Sequence, residues 1–337
     1  MSVAVDAMGA DRGPAVVIEG AVQAAKEENI EVILIGREEA VLPQLEKLGN
    51  AGGLVTFQKA TQVVEMGESP SDALRRKKDS SIRVAFEMVK QGRADAVVSA
   101  GNSGATLATA MVVLGRIKGI RPAIATWMPT LKDPVVMIDV GANVDCKPRH
   151  LFQFAIMGSV FWRSITGKDT PRIGLLSIGE EDTKGNLQVK KAYDLLESSS
   201  LNFLGNVEGR DVFNGDVDVI VCDGFVGNIC LKLSEGLAES VMAMLKSEIE
   251  SSLLATMGYT LARSAFKRFK KKVDYAEYGG APLLGIDGVG IICHGRSGSK
   301  AIKNAVKMAD ALIQAQLPQQ LAGAFFSEPA TAVGGMC

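Results

Sequence analysis

The sequence carries almost no net charge: 37 Lys and Arg stand against 38 Asp and Glu across 337 residues, a formal net charge of -1. General nucleic-acid binding needs a basic surface, so that class of function is excluded, and a charge-driven partner must meet a local patch. Histidine is scarce, with two residues, His150 and His294. There is no HExxH, no Cys/His ligand cluster, and the carboxylates are scattered among separate turns, so no metal site and no cofactor is expected. The five cysteines (Cys146, Cys222, Cys230, Cys293, Cys337) form no CxxC pair. Three of them, Cys222, Cys230 and Cys293, lie in apolar runs, which predicts reduced, buried thiols in a cytosolic protein. Long apolar runs are missing too. The longest apolar helical stretch, 151–162, is interrupted by Gln153, ends at Arg163 and is too short to span a bilayer. Residues 2–6 read as a strand, so no signal peptide is expected.

What the chain does have is 47% hydrophobic residues, enough for a large core in one domain or two. One theme recurs: an apolar β-rich run, a turn holding Gly with Asn, Asp or Ser, then a helical stretch. Residues 94–100, the turn Gly101-Asn-Ser-Gly104 and the helix 105–115 state it most plainly. Glycines in such a turn let a ligand approach the backbone, and the unpaired N–H groups of the first helical turn favour an anion, above all phosphate. Ser99, Asn102, Ser103 and Thr106 can add neutral hydrogen bonds. The same residue types also serve as ordinary helix caps, and both readings stand at this point.

The alternation predicts an α/β fold with a mostly parallel sheet. In such sheets the carboxyl ends of the strands border one crevice, so Asn102, Asn143, Lys184, Asn186, Asp223, Asn228 and His294 are expected to converge there. Residues 71–92 read as one charged helix. No Pro/Ser/Gly linker divides the chain. We expect a single large α/β unit over 1–317, allowing two subdomains around a central cleft, and a poorly ordered tail over 318–337.

From Ile229, apolar residues recur at every fourth position: Leu233, Leu237, Val241, Leu245, Ile249 and Leu253. The stripe predicts a long amphipathic helix that packs within the chain or against a second copy. It leads to Gly258, expected to break the helix, and then to a basic segment with Phe266, Lys267, Arg268, Phe269, Lys270, Lys271 and Lys272. A solvated helix, a membrane-surface element and a dock for an acidic protein all fit this composition.

Several motifs in order carry a resemblance. They are Val5-Asp-Ala-Met-Gly9, Lys77-Lys-Asp-Ser-Ser81, Ser99-Ala-Gly-Asn-Ser-Gly-Ala105, Asp139-Val-Gly-Ala-Asn143, Gly205-Asn-Val-Glu-Gly-Arg-Asp211, Asp223-Gly-Phe-Val-Gly-Asn228 and Gly280-Ala-Pro-Leu-Leu-Gly285. Together they resemble the bacterial phosphate acyltransferases, which convert fatty acyl-[acyl carrier protein] and inorganic phosphate to fatty acyl phosphate and free carrier protein. Ala10 and Ser103 depart from that pattern, where the family usually has Gly and Thr. The resemblance implies a three-layer αβα fold similar to phosphate acetyltransferases and to isocitrate and isopropylmalate dehydrogenases. It also implies a homodimer in the cytoplasm, associated peripherally with the inner face of the cell membrane. The acyl phosphate would be handed to a membrane glycerol-3-phosphate acyltransferase in phospholipid synthesis. Leu253, Leu254 and Met257 would then touch lipid, and Lys267, Arg268, Lys270, Lys271 and Lys272 would meet anionic headgroups or the acidic carrier.

Phosphate is already an anionic nucleophile, so this chemistry needs no Ser-His-Asp triad, and none is evident. Positioning and oxyanion stabilisation remain as the tasks. On this reading Gly101–Gly104 holds phosphate, with Ser99, Asn102 and Ser103 around it. Lys184 neutralises phosphate or the oxyanion, and Asn143, Asn186 and Asn228 orient the acyl group or donate to the oxyanion. Asp223 positions a donor or accepts a proton, and His294 protonates the leaving thiolate. The alternatives are a coenzyme A-dependent enzyme of the phosphate acetyltransferase type and a noncatalytic phosphate or lipid sensor.

Overall fold

Apolar runs without alternation belong to strands covered on both faces, and β4 (Ala96–Ser99), β6 (Val135–Ile138), β7 (Ile173–Leu176) and β9 (Val219–Val221) are buried at every residue. In the computed structural model, which describes residues 1–273 and 277–327, the remaining strands are β1 (Ser2–Asp6), β2 (Glu31–Gly36), β3 (Val55–Lys59), β5 (Ala123–Met128), β8 (Phe203–Val207), β10 (Ala281–Leu284) and β11 (Val289–Ile292). The helices α1 (Pro14–Glu28), α2 (Glu38–Leu48), α3 (Pro70–Arg76), α4 (Ser81–Lys90), α5 (Ser103–Val113) and α6 (Pro148–Thr166) precede β7. After it come α7 (Leu187–Glu197), α8 (Gly224–Glu250), α9 (Leu253–Leu261), α10 (Arg263–Val273), α11 (Ser299–Gln314) and α12 (Leu317–Ser327).

All strands join one 11-stranded sheet in the order β3-β2-β1-β4-β11-β10-β5-β6-β9-β7-β8. Side chains alternate across it, as a period of two requires. Val3, Val5, Ala96 and Val98 pack with α1, α6 and α11 in one core, and Ala4 and Val97 with α4 and α5 in the other. The expected three-layer αβα architecture is observed.

The sheet is mostly parallel, as expected, but its direction reverses in the middle. β3, β2, β1, β4 and β11 are mutually parallel, as are β6, β9, β7 and β8. Between them β10 pairs antiparallel with both β11 and β5, and β5 antiparallel with β6. Three successive reversals make the two parallel blocks run in opposite directions. The turns after β4 and β11 therefore leave one end of the sheet, and those after β6, β7 and β9 leave the other. A single crevice shared by every strand end is ruled out by this polarity.

Three further expectations change. The predicted helix 71–92 is two helices, because Lys77 turns inward and its Nζ donates to Val63 O (2.5 Å) and Glu68 Oε2 (2.6 Å). Gly258 lies inside α9, and the breaks fall either side of that helix, where Ser252 caps its start by accepting from Ala255 N (3.4 Å). The tail is ordered as α12 over Leu317–Ser327, and its Leu317, Leu321 and Phe325 are buried in the core shared with α6. Residues 328–337, including Cys337, lie outside the described residues. Phe325 is 4% exposed, so Phe325→Ala should lower stability by about 3–5 kcal/mol in a denaturant titration. An unchanged midpoint would mean that this segment does not pack on the body.

Candidate active site

The turn after β4 is built on a buried carboxylate. Asp6, at the end of β1, accepts from Ser99 Oγ (2.8 Å) and Met8 N (3.0 Å), and Ser99 Oγ in turn accepts from Gly101 N (3.1 Å). Burial pushes the Asp6 carboxyl up to about 6, against hydrogen bonds from Ser81, Ser99 and Met8 that lower it. Ser99 is thus turned inward, away from any ligand. Asn102 is the N-cap of α5: its Oδ1 accepts from Ala105 N (2.9 Å). Its Nδ2 donates to Met66 O and Glu68 O, both at 2.9 Å, and lies 3.3 Å from Glu65 O. The side chain expected to hold phosphate is instead committed to tying the 65–68 loop against the helix start. Ser103 and Gly104 are exposed in the first turn of α5, and their N–H groups have no backbone partner within the helix.

The turn after β6 is likewise held from inside. Asp139 accepts from Ile124 N, Gly141 N, Ala142 N, Asn143 N and Asn143 Nδ2 at 2.7–3.2 Å. Burial raises the Asp139 carboxyl, while these donors pull it back. Asn143 also donates to Pro122 O (2.8 Å) and accepts from Arg121 Nε, so its amide, expected at the acyl group, is fully used in the turn. α8 starts against this turn. Asp223 caps it, its Oδ1 accepting from Phe225 N (3.0 Å) and Val226 N (2.9 Å). A Cβ on Gly227 would stand 2.0 Å from Asp139 O, so only glycine lets the helix approach. One turn on, the exposed Asn228 amide lies over Gly141.

A cavity of about 2040 Å³ joins the two ends of the sheet. β10, β11 and β6 have four residues each and β5 six, or about 13–20 Å at 3.3 Å per residue. That is short enough for one trough to reach from Ser103 and His294 to Gly141 and Asn228. Its walls are apolar: Trp127 and Met128 below, and Leu237, Val241, Leu245 and Ile249 of α8 above. The stripe predicted from sequence therefore faces a cavity over its middle, while Leu233 remains 70% exposed.

His294 follows β11 and is half-buried. Its Nδ1 accepts from Arg296 N (3.1 Å), which places the hydrogen on Nε2. Burial, with Lys232 and Arg296 nearby, lowers its pKa, so it enters as a neutral N–H donor rather than the expected imidazolium acid. Of the predicted catalytic and phosphate or acyl residues, Ser103, Asn228 and His294 line the cavity. Lys184 and Asn186 do not: both are exposed in the loop after β7, Lys184 Nζ 3.9 Å from Glu181 Oε1 and Asn186 capping α7 through Val189 N (2.9 Å). Sequence reading missed Asp6, whose signal was an Asp closing a strand in the motif Val5-Asp-Ala-Met-Gly9. It also missed Arg121, which has no motif around it.

Burial raises the thiols of Cys146 and Cys293 to about 12 and that of Cys222 further above its ordinary range, leaving no thiolate nucleophile among them. Among the described residues, no group of three or more His, Cys, Asp or Glu is placed to hold a metal ion, and no helix is long and apolar enough to cross a membrane.

A family profile described as fatty acid synthesis protein matches residues 1–320. The phosphate acyltransferase of Geotalea uraniireducens is 60% identical over 323 residues, covering 96% of this chain and 93% of that one. That of Geobacter sulfurreducens is 59% identical over 323 residues, with the same two coverages of 96% and 93%. Among solved structures, a phosphotransacetylase from Streptococcus pyogenes superposes with a TM-score of 0.60 at 19% identity, covering 93% of this chain and 94% of that one. A 4-hydroxythreonine-4-phosphate dehydrogenase from Klebsiella pneumoniae gives 0.51 at 14%, covering 93% and 99%. At such identities the structural likeness concerns the fold.

Asp6 yields a pH test. Its folded pKa is raised, so its contribution to stability is full below about pH 4 and is lost as pH rises through 6. The stability difference between wild type and Asp6→Asn should therefore shift against wild type by on the order of 3 kcal/mol between pH 4 and pH 7. Urea titrations at the two pH values measure it; a constant difference would show that Asp6 is ionised as readily in the fold as in the unfolded chain.

Proposed function

The chain belongs to the fatty acid synthesis protein family and is a phosphate acyltransferase; from this premise we propose that its acyl donor is a long-chain fatty acyl-[acyl carrier protein] and its product a fatty acyl phosphate that feeds phospholipid synthesis. The supporting observation is the cavity: an apolar trough lined by Leu237, Val241, Leu245 and Ile249 of α8, with Ser103 and His294 at one end and Asn228 at the other. An acetyl group needs no such trough. Each buried methylene of a long chain gains about 0.8 kcal/mol there.

In the proposed reaction, phosphate rests on the free N–H groups of Ser103 and Gly104 and on the Ser103 hydroxyl, at the positive end of α5. A phosphate oxygen attacks the thioester carbonyl carbon and forms the new C–O bond. His294 Nε2–H, at the phosphate end, stabilises the oxyanion that develops, and the Asn228 amide at the other end of the trough orients the acyl group. The C–S bond then breaks, its electron pair leaves with sulfur, and the proton from phosphate ends on the thiolate. Lys184 completes the charge balance when its loop closes over the trough.

We assign the remaining surfaces accordingly. The unpartnered outer side of α8, with Ile229 50% and Leu233 70% exposed, contributes to a homodimer. Leu253 at 88%, Leu254 at 79% and Met257 at 65% exposure, beside the exposed Lys267, Arg268, Lys271 and Lys272 of α10, rest on an anionic membrane. On this reading the protein works at the inner face of the cell membrane, next to an integral acyltransferase that consumes the acyl phosphate. The side chain of Lys270 lies outside the described residues.

The test follows phosphate-dependent release of thiol from palmitoyl-[acyl carrier protein] and from palmitoyl-coenzyme A. Turnover well above that of the coenzyme A thioester is expected; equal or faster use of coenzyme A would replace the proposed donor. Asn228→Ala and Lys184→Ala should each lower kcat by on the order of 10²-fold with an unchanged melting temperature. Near wild-type turnover would remove that residue from the scheme.

A further inference from the structure

Away from the trough, cations gather where α6 begins. Lys147, Arg149 and Lys191 line an open cleft of about 670 Å³ between the start of α6 and the C-terminal half of α7, with Asp194 as its acidic member. Arg121 stands close by: together with Arg149 and Lys147 it acts on His150, which burial first and these three charges next lower to about 4. Arg121, Lys147, Arg149 and Lys191 are all exposed, and none has an ion-pair partner among the described residues. In a chain of net charge -1, four unpaired cations in one place mark a surface held for an acidic partner.

Two more observations point to a protein rather than a small anion. Val144 is 60% and Phe225 56% exposed, and their segments are joined by Gly224 N donating to Asn143 O (2.8 Å). Exposed apolar side chains on segments next to a cationic cleft match the apolar centre and charged rim of a protein interface. The patch also borders the reaction site. Arg121 Nε donates to Asn143, and two residues before Asn143, Gly141 lines the trough beneath Asn228.

We infer that Arg121, Lys147, Arg149 and Lys191, with Val144 and Phe225, form the docking surface for the acidic acyl carrier protein, so that its thioester arm enters the trough at Gly141. The inference rests on the acyl-carrier reading above and deepens it. It divides the two basic regions of the molecule: this one receives the carrier, and α9–α10 receives lipid. Because the contact is made to the carrier and not to the reacting atoms, it should govern encounter and leave the chemical step alone.

The experiment compares wild type with the charge-reversal triple Lys147→Glu, Arg149→Glu, Lys191→Glu, and with the milder Arg149→Gln, Lys191→Gln in case the triple fails to fold. With palmitoyl-[acyl carrier protein] as the varied substrate, KM should rise roughly tenfold or more in the triple and less in the double. KM for phosphate and turnover of palmitoyl-coenzyme A should stay at wild-type values. The wild-type KM for the carrier should climb with salt, and that dependence should flatten in the variants. An unchanged carrier KM in folded variants overturns the inference. So does loss of binding to phosphatidylglycerol vesicles with carrier KM intact, which would make the patch a lipid contact. If wild type itself ignores the carrier thioester, the acyl-carrier reading fails, and this inference with it.

Discussion

One buried carboxylate holds the second half of the site together. Asp139 gathers five N–H donors from β5, from its own turn and from Asn143. Its backbone oxygen accepts from Cys222 Sγ (3.4 Å) and sits under Gly227. A buried anion with this many donors tolerates no alternative geometry, since each released N–H would be left without a partner. The root of α8, the placement of Asn228 over Gly141 and the roof of the trough all follow from it. Asp6 does the same for the first half, at smaller scale, through Ser99 and Gly101.

The two halves differ in what they offer. The β4 and β11 side supplies donors for an anion: the first turn of α5 and the neutral His294. The β6 and α8 side supplies an apolar wall, in which Leu237 is 61% and Val241 44% exposed, and one amide. The sheet reversal at β10 and β5 sets these contributions face to face across strands only four to six residues long. A phosphate and a fatty chain are chemically incompatible neighbours in water, and on the proposed reading this arrangement would give each its own surroundings with the reacting carbonyl at the boundary.

Much of this was legible in the chain. β1, β4, β6, β7, β9 and β11 are apolar runs ending in Gly with Asp, Asn or Ser, and the period of four in α8 is unbroken. β10 was not, because Pro282 argues against a strand and its pairing partners come from distant segments. Missing β10 meant missing the reversal, and so the convergence of every turn was expected in error. Of the residues expected at the ligand, Ser103, Asn228 and His294 line the cavity, whereas Ser99, Asn102 and Asn143 face inward. A short polar side chain in a β–α turn has the same sequence signature whether it serves a ligand or its own backbone. Only the hydrogen-bond partners separate the two.

The position of β11 also has a consequence in time. It inserts between β4 and β10, yet it is made after everything through residue 284, including the whole block from β6 to β9. During synthesis β4 must therefore wait as an open edge, paired only with β1, and such edges recruit other strands. His294 arrives with the same segment. A truncated chain that stops short of β11 thus has neither a finished sheet nor the segment that carries His294 to the cavity.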